Sequence, residues 1–240
     1  MDLIIDVGNT RVKVAVFEGN KIIEKDIFSK EKIISRIEEI CKKNTISKGI
    51  ISAVATLSSE KITELKKILL LKELTHETKV PFHNNYGTPK TLGVDRIALA
   101  AYATGYHTNK NTLIIDVGTC VTFDFVDKKG VYHGGAISPG VNMRYQSLNN
   151  YTSKLPLLKA VIPSDFIGNN TVNCIHSGVV NGICNEIDGV INQYKKKYGD
   201  LTVLLTGGDT IFLAKQLKND IFANPNLVLE GLHKILIYNR

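Results

Sequence analysis

The sequence predicts an α/β protein of two similar domains, each a mixed sheet flanked by helices, with a cleft between them as the place for a ligand. Three observations predict this. The hexapeptide Leu3-Ile4-Ile5-Asp6-Val7-Gly8 recurs unchanged as Leu113-Ile114-Ile115-Asp116-Val117-Gly118. An alternating hairpin follows each copy. Helical periodicity begins only after those strands in each half.

Taken in order, the first half opens with the buried strand that ends at Asp6. A second strand is expected over Arg11 to Phe17, a turn at Glu18-Gly19-Asn20, and a third strand over Lys21 to Ile27. Apolar residues at three- and four-residue spacing predict helices over Glu31 to Lys43, Ser58 to Leu71 and Asp95 to Tyr106, with a short apolar strand at Gly49 to Val54. The second half repeats the opening. Strands are expected over Thr119 to Asp127 and Val131 to Ile137, joined at Lys128-Lys129-Gly130. A long helical pattern then runs from Val172 to Tyr198, and a strand from Leu201 to Leu205. Identical strands with matching hairpins read as a duplication, with domains at 1–111 and 112–240.

The bulk composition is globular, and it narrows the function classes. The net charge of +7 suits an anionic ligand such as a nucleotide. The basic residues are scattered, and the one tight run, Lys195 to Lys197, ends a helical pattern, where cations complement the helix dipole. No nucleic-acid partner is expected. Cys41, Cys120, Cys174 and Cys184 show neither C-x-x-C spacing nor a histidine cluster, which fits free thiols in a reducing compartment. The opening Met-Asp-Leu-Ile-Ile-Asp lacks a basic segment, and no apolar run approaches a membrane span. A cytoplasmic protein with no membrane partner is the expectation.

The chemistry sits in the repeated Asp-x-Gly. A carboxylate at a strand end lies at the sheet edge. The glycine two residues on permits a tight turn whose N–H groups can approach a phosphate. After Gly8, the residues Asn9, Thr10 and Arg11 offer an amide, a hydroxyl and a guanidinium for phosphate oxygens. After Gly118, Thr119 offers a hydroxyl. Two such loops suit a polyphosphate, with Asp6 and Asp116 holding the metal that neutralises it. A single Asp-x-Gly is more simply a capped turn; its duplication shifts the reading to phosphate. There is no G-x-x-x-x-G-K-[ST], so a P-loop is excluded. Thr206-Gly207-Gly208-Asp209, directly after a strand, can seat an adenine or ribose, or is an ordinary turn with Asp209 as helix cap.

An acceptor segment is also legible. Asp95 falls in the first turn of a helix of small apolar residues and can take a proton from a hydroxyl. Arg96 can pair with a substrate carboxylate. Each has a plainer reading, as a dipole-favoured acid and a surface arginine. Gly134 to Gly140 reads as a loop that shapes a wall near the acceptor, and His133 beside it reads as structural.

Together these pieces resemble the type III pantothenate kinases of the acetate and sugar kinase/Hsp70/actin superfamily. Asp6-Val-Gly-Asn-Thr10, Asp116-Val-Gly-Thr119, Tyr86-x-x-Pro89-x-x-Leu92-Gly93-x-Asp95-Arg96, Gly134 to Gly140, Asn170-Thr171 with Ser177-Gly178, and Thr206-Gly207-Gly208 carry the resemblance over nearly the whole chain. The segment from Tyr86 to Arg96 is its specific part. The resemblance implies two ribonuclease H-like, actin-like ATPase domains and transfer of a phosphoryl group from ATP to pantothenate, the first step of coenzyme A biosynthesis. It implies that ATP is bound by Asp6, Val7, Gly8, Asn9, Thr10, Arg11, Val12 and Lys13, with Thr119 from the second domain. Pantothenate would be bound by Tyr86, Gly93, Val94, Asp95, Arg96 and Thr171, with Asp95 as the proton acceptor. It further implies a monovalent cation, potassium or ammonium, on Asp116, magnesium with ATP, and a homodimer. Asp116 then need not be a second magnesium ligand. Cys120 departs from the family, which has a small alanine there. Two rival readings keep the fold: a kinase for another small acceptor, and a nucleotide-binding regulator without catalysis.

Overall fold

The computed structural model describes residues 1–53 and 57–240. In chain order its elements are β1 (Asp2–Val7), β2 (Val12–Glu18), β3 (Lys21–Phe28), α1 (Ile33–Lys43), β4 (Lys48–Ala53), α2 (Ser59–Ile68), β5 (Leu71–Glu73), β6 (His83–Asn84) and α3 (Val94–Tyr106). There follow β7 (Thr112–Val117), β8 (Cys120–Val126), β9 (Val131–Pro139), α4 (Val141–Asn150), α5 (Thr171–His176), α6 (Gly182–Tyr198), β10 (Thr202–Thr206), α7 (Thr210–Ala214), β11 (Phe222–Ala223) and α8 (Leu227–Tyr238). They form two compact units. One holds Met1–Thr108, Gly130–Tyr132 and Asn226–Arg240; the other holds Asn109–Lys129 and His133–Pro225. A division at 111/112 runs along the chain, whereas these units divide space, and the two divisions differ at 109–111, 130–132 and 226–240.

The first unit is built on a mixed sheet of order β3-β2-β1-β4-β5. β1 pairs antiparallel with β2 and parallel with β4. Side chains alternate across a strand. Leu3, Ile5 and Val7 therefore share one face, where they pack with Val14, Ile51, Ile33 and Ile37 of α1 and Leu65 of α2. Asp2, Ile4 and Asp6 take the other face. There α8 packs on β1 and β4, and α3 packs on α8. This alternation sends the Asp6 carboxylate to the side that carries α3.

Helix α8 is apolar nearly all round, the pattern of a buried helix. His233 is wholly buried, stacks on Phe17 and meets Asp2 through Nε2 at 3.1 Å. Gly231 lies directly on α3: a Cβ there would fall 1.9 Å from the Ala98 carbonyl oxygen. Gly231→Ala must push the two helices apart. Thermal unfolding is expected to show a loss of about 1–3 kcal/mol, or roughly 2–12 °C in Tm.

The second unit repeats the plan, with strand order β11-β10-β7-β8-β9. β7 pairs antiparallel with β8 and parallel with β10. Its core joins Leu113, Ile115, Val117 and Phe123 to Val141 and Tyr145 of α4 and to Ile183 and Ile187 of α6.

Several expected elements change. The helix over Ser58 to Leu71 ends at Ile68, because Leu71 instead pairs with Gly49 in the sheet. Val54, at the end of the strand expected over Gly49 to Val54, lies outside the described residues. The pattern from Val172 to Tyr198 is helical throughout but includes a π-helical stretch, Ser177–Asn181. The strand expected over Val131 to Ile137 runs on to Pro139, so Gly134 to Pro139, also read as a loop, is the rest of β9, and Gly135 lies flat on the Phe123 carbonyl. The four cysteines are free. No helix among the described residues is long and apolar enough to cross a membrane.

Candidate functional site

In the first unit β1 delivers Asp6 to the sheet end, and the loop Gly8 to Arg11 returns the chain to β2. Val7 pairs with Val12, and the Gly8 N–H donates to the Arg11 carbonyl at 3.0 Å. Asn9, Thr10 and Arg11 are left exposed at the tip. The register sets Lys13 directly opposite Asp6. Asp6 is 7% exposed. No hydrogen bond among the described residues reaches its carboxylate. Burial lifts its pKa from 3.8 to about 6; the Lys13 ammonium works against that rise, and the negative charge of Asp95 adds to it. Asp6, Lys13 and Asp95 therefore share one electrostatic site.

Asp95 stands in the first turn of α3, where the helix dipole favours a carboxylate. Its Oδ1 accepts the Arg96 N–H at 2.8 Å. Burial nonetheless holds its carboxyl above the usual range, against the pull of that hydrogen bond and of the Arg96 charge. Gly93 is needed for this geometry, because a Cβ there would lie 2.4 Å from Asp95 Oδ1. Arg96 is buried, and its guanidinium sits 5.6 Å from the centre of the Tyr86 ring. The surface reading of Arg96 is thus excluded. His76, which the sequence did not single out, fixes the segment by bonding the Leu92 carbonyl through Nε2 at 2.8 Å.

In the second unit the loop after β7 is one residue shorter. Val117 pairs with Val121, so Thr122 rather than a lysine stands opposite Asp116. Two glycines hold this loop. Gly140 donates its N–H to the Thr119 carbonyl at 3.1 Å, and a Cβ on it would strike the Gly118 and Thr119 oxygens at 2.3 and 2.4 Å. Gly207, at φ +102°, leaves room for the Asp116 carboxylate, which a Cβ would approach to 2.4 Å. Asp209 donates its N–H to the Val117 carbonyl, and burial raises its own carboxyl. The loop Gly207 to Asp209 is therefore part of this site. Asp209 does stand at the N-terminus of α7, but its side chain makes no cap hydrogen bond.

Thr171 opens α5 with an exposed side chain, behind Asn170, whose Oδ1 caps the helix by accepting the Asn173 N–H at 2.9 Å. Among the described residues no hydrogen bond joins Thr171 to another predicted site residue. His133 bonds Asp127 at 2.9 Å, which fits its structural reading. Cys120 places its thiol 3.9 Å from the Met143 sulfur of α4.

Among the described residues no cluster of three histidine, cysteine or acidic side chains forms a metal cage. A lone buried carboxylate without hydrogen bonds fits a magnesium ion held mainly by substrate phosphates. Asp116 stands opposite Thr122, with the Gly207 backbone against its carboxylate.

Comparison with known proteins adds a family. A sequence model for type III pantothenate kinase matches residues 2–193. The type III pantothenate kinase of Flavobacterium johnsoniae is 48% identical over 239 residues, covering 99% of this chain and 98% of that protein. Among solved structures, a Baf-family protein of Campylobacter jejuni is similar at a TM-score of 0.66 and 20% identity, covering 99% of this chain and 98% of that one. A glucokinase from an Antarctic psychrotroph is similar at 0.51 and 11%, covering 100% and 99%. These structural likenesses show the fold, two ribonuclease H-like units with mixed sheets flanked by helices.

Proposed function

The chain belongs to the type III pantothenate kinases, and from that premise we infer that it transfers the γ-phosphoryl group of ATP to pantothenate, the first step of coenzyme A biosynthesis. The carrying observation is that β1 sends the Asp6 carboxylate to the face of the sheet that carries α8 and α3, and the first turn of α3 holds Asp95; the Asp95 charge adds to the rise of the Asp6 pKa. An acid beside a phosphate loop is what phosphorylation of an alcohol requires.

The roles follow from position. Gly8 to Arg11 present backbone N–H groups, the Thr10 hydroxyl and the Arg11 guanidinium to phosphate oxygens, with Val7 and Val12 closing the loop and Lys13 adding positive charge. Thr119 adds a hydroxyl to ATP. Tyr86, Gly93, Val94, Arg96 and Thr171 bind pantothenate, and Arg96 meets its carboxylate. Asp95 accepts the proton of the primary alcohol as the oxygen bonds to the γ-phosphorus and the bond to ADP breaks. Asp6 would hold the magnesium that comes with ATP, and Asp116 a potassium or ammonium ion; such cations neutralise charge on the transferring phosphoryl group.

The two loops differ in register: Lys13 stands opposite Asp6, which suits a polyphosphate, and Thr122 stands opposite Asp116. A homodimer is supported by Tyr151, Leu157, Phe166 and Ile167, large apolar side chains exposed within 151–172. The division of the chain at 111/112 is the duplication boundary in this reading, and the cytoplasm is the compartment that supplies both substrates.

A panel of acceptors tests it. ADP release is expected with pantothenate and not with sugars or short carboxylic acids, and it is expected to be much faster in potassium than in sodium. Release independent of acceptor would favour the regulator reading.

A further inference from the structure

We propose that Arg144, clamped by Glu186, is a positioning residue for the Thr119 loop, and so for ATP. This rests on the reading that Thr119 binds ATP. Arg144 lies on α4 with its side chain 21% exposed. Its Nε donates to the Pro139 carbonyl at 2.9 Å, and an Nη donates to Ser138 Oγ at 3.0 Å. That same nitrogen forms a short ion pair with Glu186 of α6. One guanidinium thus ties the last two residues of β9 to two helices. The next residue is Gly140, whose missing side chain lets the Gly118-Thr119 backbone lie flat against it. Gly140 also donates its N–H to the Thr119 carbonyl. α4 meets the loop a second time through Met143 and Cys120. The path from Glu186 through Arg144, Pro139 and Gly140 to Thr119 is therefore continuous, and every link in it is backbone contact or charge-assisted hydrogen bonding. A planar guanidinium can make these three bonds at once; a lysine ammonium cannot match that fixed fork. Arg144 touches no substrate in this account. It sets where the Thr119 hydroxyl stands, and small displacements of such groups are costly in phosphoryl transfer.

Steady-state kinetics on the full chain test this, with Arg144→Met, Arg144→Lys, Glu186→Gln, the Arg144→Met/Glu186→Gln pair and Thr119→Val. Arg144→Met is expected to raise KM for ATP about tenfold or more while KM for pantothenate stays within about twofold. Arg144→Lys is expected to recover part of that loss. Glu186→Gln is expected to act in the same direction and more weakly, and the double variant to be no worse than Arg144→Met alone. If Arg144→Met does not fold, Arg144→Lys and Glu186→Gln decide alone. Unchanged KM for ATP in these variants overturns the proposal, and so does a parallel rise for both substrates, the mark of a merely structural residue. Thr119→Val separates the two levels. If it raises KM for ATP and the Arg144 variants do not, only the positioning role falls. If it leaves KM for ATP unchanged, the assignment of Thr119 to ATP falls as well.

Discussion

Asp95→Asn is expected to lower kcat by roughly 10²–10⁴, the usual contribution of a positioned general base, or about 3–5 kcal/mol in the barrier. The fold should survive it. Asn keeps the shape, and its side-chain oxygen can still accept the Arg96 N–H that Oδ1 now accepts at 2.8 Å. The loss should fall on kcat, with KM for ATP little changed, because the phosphate loop is a separate set of residues. The pH dependence gives a second check. Burial holds the Asp95 carboxyl above the ordinary carboxylate range. Its active form is the ionised one, so activity should fall as pH drops through that raised value, and the acid limb should vanish in the variant. Near-wild-type turnover by folded Asp95→Asn would remove this residue from the mechanism.

Asp6→Asn should also abolish useful activity, yet make the free protein more stable. The sign follows from the titration. The Asp6 pKa is about 6 in the folded chain against 3.8 as the reference. The folded state therefore holds the proton more tightly, and stability falls as pH rises from about 4 to about 6, then stays low. Two pKa units correspond to about 3 kcal/mol at most. Removing a buried charge should return about 1–3 kcal/mol at pH 8, or roughly 2–12 °C in Tm, less whatever Lys13 loses with its partner. At pH 4 the advantage should shrink to nearly nothing. An equal Tm difference at both pH values would show that the Asp6 charge is not the cause. The free enzyme in this account stores an unfavourable charge that a bound cation relieves.

Much of this was legible in the sequence because it is local. A strand ending in Asp-x-Gly and returning through a hairpin needs only neighbouring residues to specify it, and a recurring hexapeptide marked the second unit. The Tyr86 to Arg96 segment was read through its resemblance to the family, since its residues alone also fit a dipole-favoured acid and a surface arginine. Non-local features were not. α8 belongs to the second half of the sequence but packs against α3 in the first unit, and the match of Gly231 to the Ala98 carbonyl joins residues far apart in the chain. The one-residue difference between the loops emerges only from strand register, which sets Lys13 against Asp6 and Thr122 against Asp116. Arg144 carried no motif, since its partners come from β9 and α6. The strand over Val131 to Ile137 was legible, but the glycines from Gly134 on also read as a loop and obscured how far β9 runs, because its end is held by pairing rather than by propensity. Apolar spacing alone did not mark the helix end at Ile68, where a short strand pairing took over.

The most direct measurement follows the phosphorus itself. Phosphorus NMR of the protein with ATP, magnesium, potassium and pantothenate should show a new phosphomonoester on the primary alcohol of pantothenate, growing as ADP appears. The Asp95→Asn protein should give almost none in the same time. ADP accumulating with inorganic phosphate and no phosphomonoester, or no consumption of ATP at all, would contradict the account.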